Sequence, residues 1–205
     1  MNKLIIAITG PSGTGKSTLA TALSQALSQE QSSNRVAVIH EDAYYRDQSH
    51  LTMAQREQTD YDHPDALEHS LLLTHLHALC NNNAVAVPVY DYTRHTRSDQ
   101  TRQLQPADIL ILEGILLFSH PELMQRFDLR VFIDTPLDHC KQRRITRDTV
   151  ERGRTRTDVE AQFERSVVPM YRHYLDIWRQ QADLVVDGEA PTDVALERVL
   201  SKLGC

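Results

Sequence analysis

The sequence is short of several things that would mark other protein classes. Its 205 residues hold three cysteines, Cys80, Cys140 and Cys205. Their number is odd and no pair has a CxxC or other metal-like spacing, which excludes a disulfide framework and a zinc-ribbon type of site. Reduced thiols in a cytoplasmic protein are expected, with Cys205 a terminal, exposed one. No apolar run approaches the roughly 18–20 residues of a membrane span. The run Leu4 to Ile8 is also shorter than the about 7–15 residues of a signal h-region. Positive charge is not in excess either. With 22 Lys+Arg against 28 Asp+Glu the formal net charge is −6, which argues against nucleic acid as a partner, because sequence-independent binding of that polyanion needs a basic face. What remains, 40% hydrophobic and 24% charged residues, is the profile of a soluble globular chain. The length suits one domain, residues 1–205, carrying small insertions.

The charge is unevenly spread. Between Lys141 and Arg156 lie seven bases and two acids, Asp148 and Glu151, a local +5. The remainder holds 15 bases and 26 acids, or −11. One arginine-dense segment in an acidic protein suggests a local anionic ligand. A solvated helix face is the plainer alternative.

Hydrophobic patterning predicts an α/β fold. Leu4 to Ile8, Val36 to Ile39, Ile109 to Leu112, Leu129 to Ile133 and Leu184 to Val186 read as strands, most of them continuous apolar runs typical of a buried parallel sheet. Helices are expected at about Lys16–Gln29, Ala66–Leu79, from Pro136 through the basic segment, Asp158–Gln181 and Thr192–Leu203. Alternating strands and helices imply a parallel sheet flanked by helices. Ala84 to Tyr90 looks like an exposed strand, with a partner near Thr101 to Leu104. This predicts a small hairpin insertion over 84–105.

Gly10-Pro11-Ser12-Gly13-Thr14-Gly15-Lys16-Ser17 fits G-x-x-x-x-G-K-[ST] without a mismatch, between a strand and a helix. Glycines there let backbone N–H groups close around phosphate oxygens, and the helix N-terminus adds partial positive charge. Gly10 to Thr18 are therefore the expected ATP-binding segment. Lys16 would reach the β and γ phosphates and Ser17 would ligate Mg²⁺. The motif announces a nucleoside triphosphate and leaves open what is done with it.

Two acids stand where a parallel sheet presents its ligand crevice. Asp42 follows the second strand. From position alone it is either a solvated loop acid or a group that takes a substrate hydroxyl proton. Glu113 ends the run Ile109-Leu110-Ile111-Leu112, in the Walker-B arrangement of a Mg²⁺-holding acid, although a helix N-cap would look alike.

Several stretches, taken in order, resemble the uridine kinase (uridine–cytidine kinase) family, in its bacterial form: HEDAYYRDQ at 40–48, YDHPDA at 61–66, VPVYDYTRHTR at 87–97, ILILEGIL at 109–116, FIDTPL at 132–137 and RRITRDTVERGR at 143–154. The resemblance runs from the P-loop to about Trp178. It implies transfer of the γ-phosphoryl group of ATP or GTP to the 5′-hydroxyl of uridine or cytidine, with Asp42 as general base and Mg²⁺ as cofactor. It also implies nucleoside contacts from Asp42, Tyr45, Asp62, Tyr90, Tyr92, His95 and Arg144. Asp62 would accept a ribose hydroxyl, while Tyr90 and His95 would address the pyrimidine edge. It further implies a helical lid over 137–157 whose Arg147, Arg152 and Arg154 meet the phosphates, and a homo-oligomer, often a tetramer. Neutral nucleosides do need stacking aromatics and a few placed polar groups, and rigid guanidinium groups suit developing phosphoryl charge.

Lys141, Arg143 and Arg156 are expected to be solvated or paired one helical turn away. His75 and His77, two apart, cannot share a helix face and suggest no metal site, and Trp178 is expected in the core. The family's Pro-Arg-Gly turn after the last strand is here Asp187-Gly188-Glu189, which leaves ATP or GTP open as donor. Two other readings carry the same P-loop: a small-molecule kinase of the phosphoribulokinase or pantothenate kinase type, and a nucleotide-binding regulator without turnover. The YDHPDA and PVYDYTRH stretches count against the first, and the presence of Asp42, Glu113 and Arg152 against the second.

Overall fold

The computed structural model describes residues 3–30 and 35–204, apart from the side chains of Glu30, Leu175 and Asp176; Cys205 lies outside the described residues. In chain order the main elements are β1 Leu4–Thr9, α1 Lys16–Glu30, β2 Val36–His40, α2 Met53–Arg56, α3 His69–Cys80, β3 Val85–Asp91, β4 Thr96–Leu104, β5 Ile109–Gly114, α4 Pro121–Met124, β6 Leu129–Asp134, α5 Leu137–Glu151, α6 Arg156–Gln162, α7 Val168–Gln181, β7 Leu184–Asp187 and α8 Thr192–Leu203. Five strands form a parallel sheet in the order β2-β5-β1-β6-β7, and β3 and β4 form a separate antiparallel hairpin. This is the predicted parallel sheet flanked by helices, with its hairpin.

The apolar runs are continuous because both faces of the sheet are covered. Successive side chains point to opposite faces. Ile5, Ala7, Leu110, Leu112 and Phe132 pack toward α3 and the hairpin, together with Trp178 of α7. Ile6, Ile8, Ile111, Val131 and Val186 pack toward α1 and α8, against Leu19, Leu23 and Val199. Cys80 and Cys140 are free thiols, and burial pushes the Cys140 thiol pKa up to about 11.

Three boundaries differ from expectation. The helix expected from Ala66 begins at His69. Pro64–Ala66 form a tight turn, Tyr45 bridges Leu67, and the Glu68 N–H donates to the Tyr44 carbonyl. Those bonds hold the backbone extended just where the helix would start. The hairpin strand β4 begins at Thr96, five residues before the expected one. The helix expected over Asp158–Gln181 starts at Arg156 and widens to a π turn over Phe163–Val167. Single π turns inside helices cluster at functional positions, and this one carries Ser166, which is buried.

The β6–β7 edge is pinned by one acid. Asp183 accepts hydrogen bonds from the Arg130 backbone N–H at 2.9 Å, its Nε at 2.9 Å and its Nη2 at 2.7 Å. The Arg130 hydrogen bonds hold the Asp183 carboxyl below its usual value. Its unfolded value is about 3.9, so the stabilisation is full above that and is lost as pH falls through the folded-state value. Asp183→Asn should therefore cost about 1 kcal/mol at pH 7, a figure kept small by solvent screening. The deficit should shrink in acid, as urea unfolding at stepped pH would record.

Candidate active site

The carboxyl edge of the sheet gathers the groups that the motifs singled out. Pairing puts Thr9 beside Gly114, Ile8 beside Glu113 and Glu113 beside His40. The phosphate loop leaves β1 at this edge, and Asp42 follows β2 on a tight turn, Glu41–Tyr44. Gly13 has φ +94°, and a Cβ there would run into the Cys140 carbonyl of α5, so the loop packs on that helix only with glycine. Gly10 likewise lies too close to the Ile133 carbonyl for a side chain.

Lys16 is buried, and its Nζ donates to the Pro11 carbonyl at 2.9 Å. Burial lowers its pKa, against the raising effect of Glu113 and Asp42. Glu113 is buried and pairs with His40, Nδ1 to Oε1 at 2.6 Å. Burial works against the Glu113 charge, but the His40 hydrogen bond and Lys16 outweigh it and hold its pKa below the usual value. Among the described residues no three His, Cys, Asp or Glu side chains form a cation cage. One buried carboxylate and the Ser17 hydroxyl beside Lys16 instead match Mg²⁺, which keeps several waters and binds through one or two protein groups plus phosphate oxygens.

Beyond Asp42 lies an aromatic box. Tyr45, Tyr61, Tyr90, Tyr92 and His95 line the same cavity as Ser12, Lys16 and Glu113. Tyr45 and Tyr90 have centroids 5.0 Å apart, Tyr90 and Tyr92 5.2 Å, and His95 stacks on Tyr61 at 5.4 Å. The Tyr45 hydroxyl is tied to the Tyr61 carbonyl at 3.0 Å, so Tyr45 offers its ring rather than its hydroxyl. The Tyr92 hydroxyl donates to Asp42 Oδ2 at 2.7 Å. Burial, then Asp42, raises the Tyr92 pKa and keeps that donor protonated. His95 sits at φ +50° on the hairpin turn, where Asp91 Oδ1 accepts from the N–H groups of Thr93 and Arg94. Burial, then Arg154, lowers its pKa, so the imidazole is neutral near pH 7.

Asp62 is buried and accepts from Ser166 Oγ at 2.7 Å and from Arg144 Nη1 at 3.4 Å. Burial opposes the Arg144 charge, and Asp62 and Asp148 more than offset it. Arg147 donates to Ser12 Oγ of the phosphate loop at 3.3 Å. Arg152 lies 3.9 Å over the Tyr92 ring, a cation–π contact. Arg154 donates to Gln162 Oε1 at 2.5 Å. All four arginines line the cavity with Asp42 and Asp62.

Of the predicted phosphate-loop residues, Ser12, Lys16 and Ser17 face this cavity, while Thr14, Gly15 and Thr18 line an adjoining groove with Asp187, Gly188 and Arg143. Arg143 is not an idle surface base: its Nη1 donates to the Gly188 carbonyl at 2.9 Å. Arg156 does pair one turn away, with Glu160, and Lys141 reaches across to Glu164. The sequence reading does not reach Tyr61 and Gln162, which line the cavity, nor Ser166 and Asp148, which bond to its lining residues Asp62 and Arg147. Tyr61 lay inside the quoted YDHPDA stretch, whereas Gln162 and Ser166 carry no local signal. In the sequence Asp148 shows only as an acid that offsets the basic window.

Glu41, next to Asp42, is fully buried. It pairs with His69 Nε2 at 2.9 Å and accepts the Leu116 N–H at 2.8 Å. Its carboxylate lies flat over Gly114, where any Cβ would collide with it. Gly114→Ala should therefore destabilise the protein by about 1–3 kcal/mol, the range of an overpacked core. Thermal unfolding would show it, and an unchanged midpoint would mean that Glu41 can move aside freely.

Comparison with known proteins agrees with this geometry. Residues 5–195 match the Phosphoribulokinase / Uridine kinase family. A uridine kinase of Shewanella frigidimarina is 44% identical over 200 residues, covering 98% of this chain and 94% of that protein. Among solved structures, a possible uridine kinase from Bacillus stearothermophilus superposes with a TM-score of 0.58 at 25% identity, over 91% of this chain and 90% of that one. D-glycerate 3-kinase from Cryptococcus neoformans gives 0.70 at 17% identity, over 93% and 88%, and shares the fold. With its phosphate loop, strand-end acids and arginine segment in one cavity, the chain belongs to the phosphoribulokinase/uridine kinase family.

Proposed function

We propose that this protein is a uridine/cytidine kinase, moving the γ-phosphoryl group of ATP or GTP to the nucleoside 5′-hydroxyl to give UMP or CMP. One observation carries the reading beyond the family: a single cavity joins the phosphate-loop Lys16 to an aromatic box, with Asp42 between them. A small polar acceptor would need no such box; a neutral, flat pyrimidine does.

The nucleoside would lie among Tyr45, Tyr61, Tyr90 and His95, its ribose toward Asp62 and Arg144. Neutral His95 can hydrogen-bond the pyrimidine edge without adding charge. Asp42, oriented through its Oδ2 by Tyr92, takes the 5′-hydroxyl proton as that oxygen attacks the γ-phosphorus. The bond from γ-phosphorus to the bridging oxygen breaks, and the nucleoside diphosphate leaves. Lys16 and the backbone N–H groups of the loop hold the phosphates, with Gly10 to Thr18 as the ATP-binding segment. Arg147, Arg152 and Arg154 face the charge that develops on the transferring group. Mg²⁺, held by Ser17 and Glu113, would offset phosphate charge when bound. The groove beside Thr14, Thr18 and Asp187 would take the donor base. Residues 1–205 act as one kinase domain, with 84–105 on the nucleoside side and 137–157 as the lid. No described helix is long and apolar enough to cross a membrane; a cytoplasmic location and a homo-oligomeric state belong to this reading.

Supplying ATP, Mg²⁺ and a nucleoside panel, and following new monophosphate by ³¹P NMR, tests the proposal. Failure to make product from uridine or cytidine would overturn it. Asp42→Asn should lose about 10²–10⁴ in turnover while ATP binding persists. Retained turnover would remove Asp42 as base. Removing the ribose 2′-hydroxyl leaves buried Asp62 without its ligand partner, so 2′-deoxyuridine should be used worse than uridine by orders of magnitude in kcat/KM. Equal use of the two would count against Asp62.

A further inference from the structure

The arginine segment converges on one residue. Asp148 of α5 has a side chain with 0% exposure. Arg147 donates to its Oδ1 through Nε at 2.9 Å, with Nη2 at 2.8 Å. Arg152 Nη1 lies 3.4 Å from the same oxygen. Arg144 Nε and Arg154 Nη1 each lie 3.6 Å from Oδ2. The backbone carbonyl of Asp148 also accepts the N–H groups of Arg152 and Arg154, at 3.2 and 3.1 Å. One residue thus closes the end of α5 and gathers four guanidinium groups.

Each arginine has a second attachment, and each leads to a different part of the cavity. Arg147 reaches Ser12 of the phosphate loop, Arg152 covers Tyr92, Arg154 meets Gln162, and Arg144 meets Asp62. Four like charges this close repel, and exposed pairs would do little to hold them. A buried carboxylate is different, because it is screened far less and removing it leaves buried charge uncompensated.

We propose that Asp148 is the positioning residue of this site: its buried carboxylate sets the phosphate-side arginines Arg147, Arg152 and Arg154 and ties them to Arg144 and Asp62 at the ribose side. It touches neither substrate. Its effect is to keep the arginine forks aimed at the γ-phosphoryl position as charge moves there. This rests on the kinase reading for its functional consequence, while the arrangement of the arginines does not.

The test uses Asp148→Asn, which keeps the shape and removes the charge, and Asp148→Glu, which restores the charge on a longer arm. Turnover is normalised to the ATP-binding fraction, so that loss of folded protein does not enter. Triphosphate still attracts freed arginines, so KM for ATP should stay within about threefold in Asp148→Asn, while kcat falls about 10²-fold, the cost of misplaced catalytic groups. Asp148→Glu should recover part of kcat. Unchanged kcat in Asp148→Asn, or a loss confined to KM, overturns the proposal. A readout free of turnover is the arginine side-chain ¹H–¹⁵N spectrum of the unsubstituted protein. Arg147, whose Nε donates to Asp148 Oδ1, should give an Nε–H signal protected from solvent exchange, and fast exchange there overturns the arrangement even if Asp148→Asn does not fold. If uridine is not phosphorylated but this signal is protected, the kinase reading fails and the gathering of the arginines around Asp148 stands without its catalytic consequence.

Discussion

Parallel hydrogen bonding of β1, β5 and β2 brings Thr9, Gly114, Glu113 and His40 to one edge, and the phosphate loop and both strand-end acids are placed by it. The phosphate loop springs from β1, Asp42 from the turn after β2, and Glu113 closes β5. Past the edge the backbones diverge and ladder hydrogen bonds stop. Glu41 bridges the gap with a side chain, its carboxylate taking the Leu116 N–H where a backbone carbonyl would otherwise serve. This stitching is possible because residue 114 is glycine. A site built this way inherits the rigidity of the sheet, which pre-organised electrostatics require.

The uneven charge follows from a different demand. A net −6 combines a local +5 with a −11 remainder. The basic window is not a solvated helix face, since Arg144 is buried and Arg147, Arg152 and Arg154 turn inward to Asp148. Asp148 therefore does more than subtract from the local count. Without a buried anion, guanidinium groups packed together would separate into water. With it, they share one carboxylate and still carry a surplus of positive charge toward the cavity. That surplus faces the part of the cavity lined by Ser12 and Lys16, where a strongly anionic triphosphate would meet it.

Contacts between neighbours in sequence were legible without the structure; contacts between distant segments were not. Lys16, Asp42 and Glu113 can be placed at the sheet edge because each ends a strand or closely follows one within a contiguous strand–turn pattern. The hairpin and the parallel sheet followed from apolar periodicity. Asp148 could not be placed, because its burial exists only once four arginines and the following segment have folded around it. Ser166 faces Asp62 across 104 residues of chain, from a π turn that leaves no mark in hydrophobic spacing. The start of α3 differs for the same reason: Tyr44 and Tyr45 pin Leu67 and Glu68, with Leu67 extended, a tertiary constraint that outweighs local helix preference.

Recognition of an uncharged acceptor beside a strongly charged donor is a problem of keeping two environments apart within one cavity. The aromatic box does this by burial. Burial lowers the His95 pKa and raises that of Tyr92, so both stay neutral while contributing hydrogen-bonding atoms. Arg152 marks the boundary. Its guanidinium stacks on the Tyr92 ring, whose hydroxyl is bonded to Asp42. A single aromatic ring thus has a guanidinium on its face and the Asp42 carboxylate at its tip. Asp42 stands at the junction of that ring and the phosphate side, where a nucleoside hydroxyl and a γ-phosphoryl group would have to meet.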